Sequence, residues 1–286
     1  MKKNLLLLGA LVCTFLLSSC AGSNKKQAEP VSAAELENAG QVMRYFNLSL
    51  HVLKDMVNEK DINAVLGYME QEGKAPAVSP IAPPPVSAKD TAELMNPDMY
   101  FEIQVSQYLK DNYANLFQAR QQFFANFDSY LTAVKAKNKS KIGELLNANY
   151  DLSVQMSEYK MNILDVLSPV VVEAEHVLLK DNPLKEQMIA VRKISTTMQS
   201  VLNLYARNHV ADGIRLDLKM EELSKEVAAA EKIPAVTGYD KEMKSFKEFL
   251  SSAQAFMNDV QKVRAKGAYN EADYDMLVNE YGIGII

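Results

Sequence analysis

Apolar residues recur along this chain at helical spacing almost from end to end. Leu36, Met43, Leu50 and Val57 fall every seven residues, with Ala39, Phe46 and Leu53 three positions after the first three. That seam predicts a long first helix packed in a bundle. Ser32-Ala33-Ala34-Glu35 just ahead of it has the spacing of a capping box, in which serine and glutamate each satisfy an exposed N–H. The pattern continues less regularly through Ile62, Val65, Leu66 and Met69, and Gly73 ends it.

Five of the ten prolines then lie in residues 76–85, which reads as an extended connector between helices. Apolar Val78, Ile81 and Val86 favour a loop packed on the bundle over a free docking peptide. Asn96-Pro97 has the form of an N-cap with proline at the first helical position. The helix it predicts carries Val105, Leu109, Leu116, Phe123, Tyr130 and Val134 on one face. Residues 135–141 (KAKNKSK) read as a solvated basic turn at its C-terminal end.

Ile142, Leu145, Leu152, Met156, Tyr159 and Ile163 mark a third helix, and Ser168-Pro169 predicts a fresh start into a short one. Asn182-Pro183 opens a helix with Leu184, Met188, Val191, Met198, Val201 and Tyr205 as its stripe. Gly213 marks a turn before Leu216, Met220, Leu223 and Val227. Thr237, with Asp240 three residues on, predicts a capped helix ending at Gly267, and residues 270–273 start a last short one. No stretch alternates with period two. The expected fold is all-α: an elongated helical bundle of about seven to nine helices, with no sheet. Residues 32–286 are expected to form a single helical domain with a Pro-rich loop at 74–90.

The first 31 residues follow a different pattern. Lys2 and Lys3 precede an apolar run over residues 5–17, too short to span a bilayer, which needs about 17–25 residues. Residues 1–19 read as a signal peptide. Leu17-Ser18-Ser19-Cys20 resembles the bacterial lipobox, which implies cleavage before Cys20 and lipid on its thiol. Two or three acyl chains, at about 0.8 kcal/mol per buried CH₂, hold a protein at a membrane where one does so only marginally. Residues 20–31, small, polar and ending in Pro30-Val31, read as a lipidated tether. The only other cysteine, Cys13, lies in the leader, so the mature chain has no internal disulfide and no cysteine-based metal or thiol chemistry.

Charge narrows the partners. The net charge of −5 becomes −7 once a leader with two lysines and no acids is removed, which argues against nucleic acid. Candidate chemistry is sparse. Glu173 and His176 share a helix face as a Glu-x-x-His step, but a di-iron bundle needs that step twice, and no second copy occurs. His51 and Asp55 stand four apart; neither pair supplies the three or four ligands a metal demands. These residues are weak metal candidates only, and no cofactor is expected. Nine of the 23 aromatic residues crowd positions 100–130. Core packing is the plain reading of that stretch, and a ligand groove around Phe117 to Tyr130 the alternative. There is no Gly-x-Ser-x-Gly, Walker loop or dinucleotide fingerprint.

Arg44-Tyr45-Phe46-Asn47 near the start and residues 274–281 (YDMLVNEY) near the end carry a family resemblance. On these residues the chain resembles the YiiG-like bacterial lipoproteins, a domain-of-unknown-function family. Gly282 departs from it, standing where an asparagine is expected. The resemblance covers roughly residues 35–282; it implies a helical fold and an envelope location and transfers no catalytic residues. The expected protein is a non-enzymatic, lipid-anchored binding or scaffolding module of the bacterial envelope, with a small-ligand or metal-binding lipoprotein as the alternative. An envelope hydrolase acting through carboxylates that meet only in three dimensions is a third reading. Neither an aspartate nor an acidic run follows Cys20, which leans toward the periplasmic face of the outer membrane.

Overall fold

The structure, a computed structural model, describes residues 31–71, 85–207, 213–267 and 270–281. The expectations for the signal peptide, Cys20, the tether, Gly73, most of the Pro-rich loop and Gly282 lie outside them. The described residues form nine α-helices and no strand: α1 (Ala33–Met56), α2 (Glu59–Glu70), α3 (Ala88–Leu94), α4 (Ile103–Lys135), α5 (Lys139–Leu178), α6 (Lys185–Arg207), α7 (Ile214–Ala230), α8 (Asp240–Arg264) and α9 (Glu271–Tyr281). A short 3₁₀ turn, Pro97–Met99, stands before α4. The fold is all-α, as its 3.6-residue periodicity requires.

Where the sequence pattern draws one domain over residues 32–286, the packing separates two compact units. One is continuous, Gln41–Val170; the other joins Met1–Gly40 to Val171–Ile286. The seams of α1 and α5 run unbroken past residues 40 and 170, so hydrophobic periodicity has no mark at either boundary.

In the continuous unit, α4 and α5 run antiparallel. Asn149 Nδ2 donates to the Phe123 carbonyl at 3.1 Å, and Asn162 Nδ2 to Asn112 Oδ1 at 3.2 Å. Stepping away from the turn on one helix therefore matches stepping away on the other. Leu109, Leu116, Phe123 and Tyr130 of α4 are fully buried, with Val65 and Met69 of α2 and Met156 of α5. In the discontinuous unit α6 packs most extensively on α7 and also meets α8 and α9. Ile194, Val201, Leu223, Phe256 and Leu277 are among its buried residues.

Several expected boundaries move, each for a local reason. The capping box is present: Ser32 N–H donates to Glu35 Oε2 at 2.7 Å and Glu35 N–H to Ser32 Oγ at 3.2 Å. The first helix is nonetheless two, because Asn58 Oδ1 accepts from the Lys60 and Asp61 amides and starts a new one. The stripe on α1 is also rotated. Val42, Tyr45, Ser49 and Val52 are buried beside Ala39, Phe46 and Leu53, while Leu36 is 42% exposed. Asn96 does not cap the long helix; its Nδ2 donates back to the Ala92 carbonyl, and Pro97 opens only the 3₁₀ turn. Helix α3, started by Ser87, is too short for periodicity to show. Thr237 is not a cap: Gly238, at φ 87°, makes a turn and α8 begins at Asp240 without a side-chain cap.

Pro169 breaks nothing. Helix α5 runs through it for 40 residues. Proline removes one N–H and crowds the carbonyl four residues back. Pro169 is exposed, so the gap it makes in the helix's hydrogen-bond ladder lies on the solvent side. Leu164, Leu167, Val171 and Ala174 are buried on either side and hold the axis across it.

Candidate functional site

Polar side chains gather at three places, and each ties helices together. The first is in the continuous unit. Tyr45, fully buried on α1, donates from its hydroxyl to the Leu94 carbonyl at the end of α3 at 2.7 Å. Its ring lies 5.0 Å from those of Tyr100 and Phe101. Beside it, Arg44 Nη2 donates to Glu93 Oε1 at 3.0 Å and to the Tyr100 hydroxyl at 2.6 Å, with its guanidinium 5.7 Å from the Tyr100 ring centre. Burial, then the neighbouring Tyr113, Tyr100 and Glu93, pushes the Tyr45 phenol far up, so it stays a protonated donor.

The second is at the far end of the sequence. Tyr281 of α9 donates to Asp259 Oδ2 of α8 at 2.5 Å, and its ring meets Phe256 edge-on at 5.4 Å. Lys262 donates to the other oxygen of Asp259 at 2.8 Å. The Lys262 and Tyr281 bonds hold the Asp259 carboxyl below its ordinary value. Both stretches that carry the family resemblance thus place a tyrosine hydroxyl as a tie between helices.

The third lies along α6 in the discontinuous unit. Arg192 Nε donates to Glu175 Oε1 at 2.6 Å, with the two side chains only 13% and 9% exposed. Burial pushes the Glu175 carboxyl up, against the pull of Arg192 and then Lys193. One turn on, Thr197 is paired with Glu226 of α7, and burial raises that carboxyl too, helped by Glu222. Two carboxyls pushed toward protonation therefore flank one helix. Charged or buried pairs of this kind can hold protons and fix helix register.

The sequence candidates fall beside this pair, not on it. Glu173 is exposed and His176 half-buried on α5. The His176 backbone carbonyl accepts from Lys185 Nζ at 3.1 Å. Glu175, between them, is the residue that turns inward. Its signal is a stripe: Val171, Ala174, Glu175 and Leu179 are buried together, and an acid on an apolar stripe demands a partner. His51 is exposed and Asp55 half-buried. Among the described residues, no group of three or more His, Cys, Asp or Glu is placed to hold a metal ion. In the aromatic stretch, Phe123, Phe127 and Tyr130 are fully buried and Phe117 half-buried. Tyr68 meets Phe127 edge-on at 5.8 Å, and Tyr130 donates to the Met69 carbonyl at 2.8 Å. These rings are core. No helix among the described residues is long and apolar enough to cross a membrane.

Comparison with known proteins gives two family matches. Residues 33–181 match a domain of unknown function, DUF6845, and residues 183–286 match the DUF3829-like C-terminal domain. An alpha helical protein from Bacteroides fragilis, known from a crystal structure, is 56% identical; the similarity covers 90% of this chain and all of that one, with a TM-score of 0.83. A DUF3829-like protein from Bacteroides thetaiotaomicron is 50% identical over 88% of this chain and 98% of its own, with a TM-score of 0.79. Among curated proteins there is no match. The family division at residue 182 falls in the loop before α6, whereas the packing division falls inside α5. Packing is the better guide to what folds together, because Glu175, on one side of the family division, is paired with Arg192 on the other.

Proposed function

This chain belongs to the DUF6845 family of domains of unknown function, and on that premise we propose that it is a lipid-anchored, non-enzymatic module that binds or scaffolds a protein partner in the bacterial envelope. The observation that carries the reading is Leu17-Ser18-Ser19-Cys20 directly after a 13-residue apolar run and two lysines. Charge, length, small residues and cysteine agree there. The narrower kinship with YiiG-like lipoproteins goes with it, resting on residues 44–47 and 274–281.

Two features favour a binding module over an enzyme. The tyrosine hydroxyls of the resemblance stretches, Tyr45 and Tyr281, are spent on helix ties. The buried charge of Glu175 is neutralised by Arg192. The small-ligand alternative needs an accessible aromatic face, and Phe123, Phe127 and Tyr130 have theirs filled by packing. Residues 21–24, Ala-Gly-Ser-Asn, hold no acid, which supports the periplasmic face of the outer membrane.

The test is Cys20→Ala in the native host. The variant is expected to remain unprocessed or turn up in the soluble fraction, and to lose acyl label. Unchanged processing and membrane fractionation would overturn the anchor.

A further inference from the structure

The turn between α4 and α5 carries the densest positive charge on an acidic molecule. Lys135, Lys137, Lys139 and Lys141 fall within seven residues, and no acid occurs between Asp128 and Glu144. All seven residues are exposed. Lys141 pairs with Glu144 at 3.2 Å; Lys135, Lys137 and Lys139 have no acidic partner among the described residues.

The turn is built rigidly. Lys137 N–H donates to the Val134 carbonyl at 3.0 Å and Asn138 N–H to the Ala133 carbonyl at 3.0 Å, the paired bonds of a Schellman ending. Asn138 Oδ1 then accepts from the Lys141 amide at 3.2 Å and starts α5. Lys137 holds φ 55°, the position at which such a motif ordinarily takes glycine. A side chain there is strained, and the chain keeps a lysine in place of the residue that would relieve it.

We propose that the turn at residues 135–141 is a docking surface for the anionic headgroups of a lipid leaflet. The composition reads a field, not a shape. Its cations are compact ammonium groups with no arginine fork for bidentate recognition. Its spacers are alanine, asparagine and serine, with no aromatic ring to stack a base. Near an anionic leaflet each lysine strengthens binding about fivefold, so the three without an acidic partner compound to about a hundredfold. That is weak for a free protein. For a chain already tethered it adds a second contact with the same surface. An acyl anchor and a basic patch are also the two signals that together hold a protein stably at a membrane. The proposal rests on the anchored reading above.

The experiment takes the mature lipidated chain from its host into vesicles, either of phosphatidylcholine alone or with a third phosphatidylglycerol. Flotation reads the anchor. Lysine acylation, followed by mass spectrometry, reads the turn, with exposed Lys225 and Lys244 as internal standards. The expected result is flotation on both vesicles, with the turn lysines labelled at least threefold more slowly on the anionic ones. Half-molar NaCl should erase that protection. K137E/K139E, both at exposed turn positions, should erase it with flotation unchanged. Equal labelling on the two vesicles, with flotation intact, overturns the docking surface alone. A chain that fails to float overturns the anchor and this proposal with it.

Discussion

At the scale of single residues, the most consequential pair is Glu175 and Arg192. Taking two charges out of water costs several kcal/mol per ion, so the pair adds little net stability while each partner depends heavily on the other. Arg192→Met would leave a carboxylate buried alone, at a cost of roughly 3–5 kcal/mol at neutral pH. Burial already raises the Glu175 carboxyl, and losing Arg192 raises it further. For a carboxyl raised in the folded state, the charged form destabilises the fold above its folded value, and the deficit is relieved as pH falls through it. Urea midpoints should therefore lie far apart for parent and Arg192→Met at pH 7.5 and converge toward pH 5. Glu175→Leu/Arg192→Met should recover most of the loss. A single variant as mild as the double one would show the pair to be idle. The inward turn of Glu175 is legible in the sequence, because Val171, Ala174 and Leu179 share its stripe. Its partner is not, because Arg192 lies 17 residues on, in another helix, and periodicity says nothing about which stripes face each other.

At the scale of elements, a start is legible where a side chain caps the helix. Ser32 and Asn182 announce helices through local hydrogen bonding, and the Asn182 side chain does accept from the Leu184 amide at 2.8 Å. Asn58 uses the same chemistry but sits inside a continuing apolar pattern, which masks it. Pro169 errs the other way: its local penalty is real, and tertiary packing on both sides outweighs it. The tie at Tyr45 is hidden differently, since a hydroxyl that caps another helix leaves no spacing in the sequence. The Lys137 turn yields a sharp expectation. Lys137→Gly keeps every backbone bond of the Schellman ending and removes the strain of a side chain at φ 55°. It should stabilise the protein by about 1 kcal/mol, or ~2–4 °C in Tm. Calorimetry checks this, and a lower Tm would mean the lysine side chain holds the turn in a way its exposure hides.

At the scale of the whole molecule, the two ways of dividing the chain predict different behaviour for its pieces. A fragment of residues 183–286 keeps Arg192 but lacks Glu175 and the buried face of Val171, Ala174 and Leu179. A fragment of residues 171–286 restores all four. Burying a valine or leucine side chain such as Val171 or Leu179 contributes about 1.5–3 kcal/mol. The longer fragment should unfold at distinctly higher urea and resist limited proteolysis; equal midpoints would favour the family division as the folding unit.

The discontinuous unit is made from both ends of the chain, with the continuous unit inserted between them. Delivered N-terminus first, the inserted unit is complete at Val170, while 116 residues of its host have yet to appear. Ala39, 3% exposed in the finished protein, belongs to the unit that closes only when those residues arrive. Order of completion is thereby written into the topology: the middle settles first and the ends last. A chain cut short in synthesis or transit carries one finished unit and one open one, and Ala39, with the part of the α5 stripe beyond Val170, stays unburied and marks it for degradation.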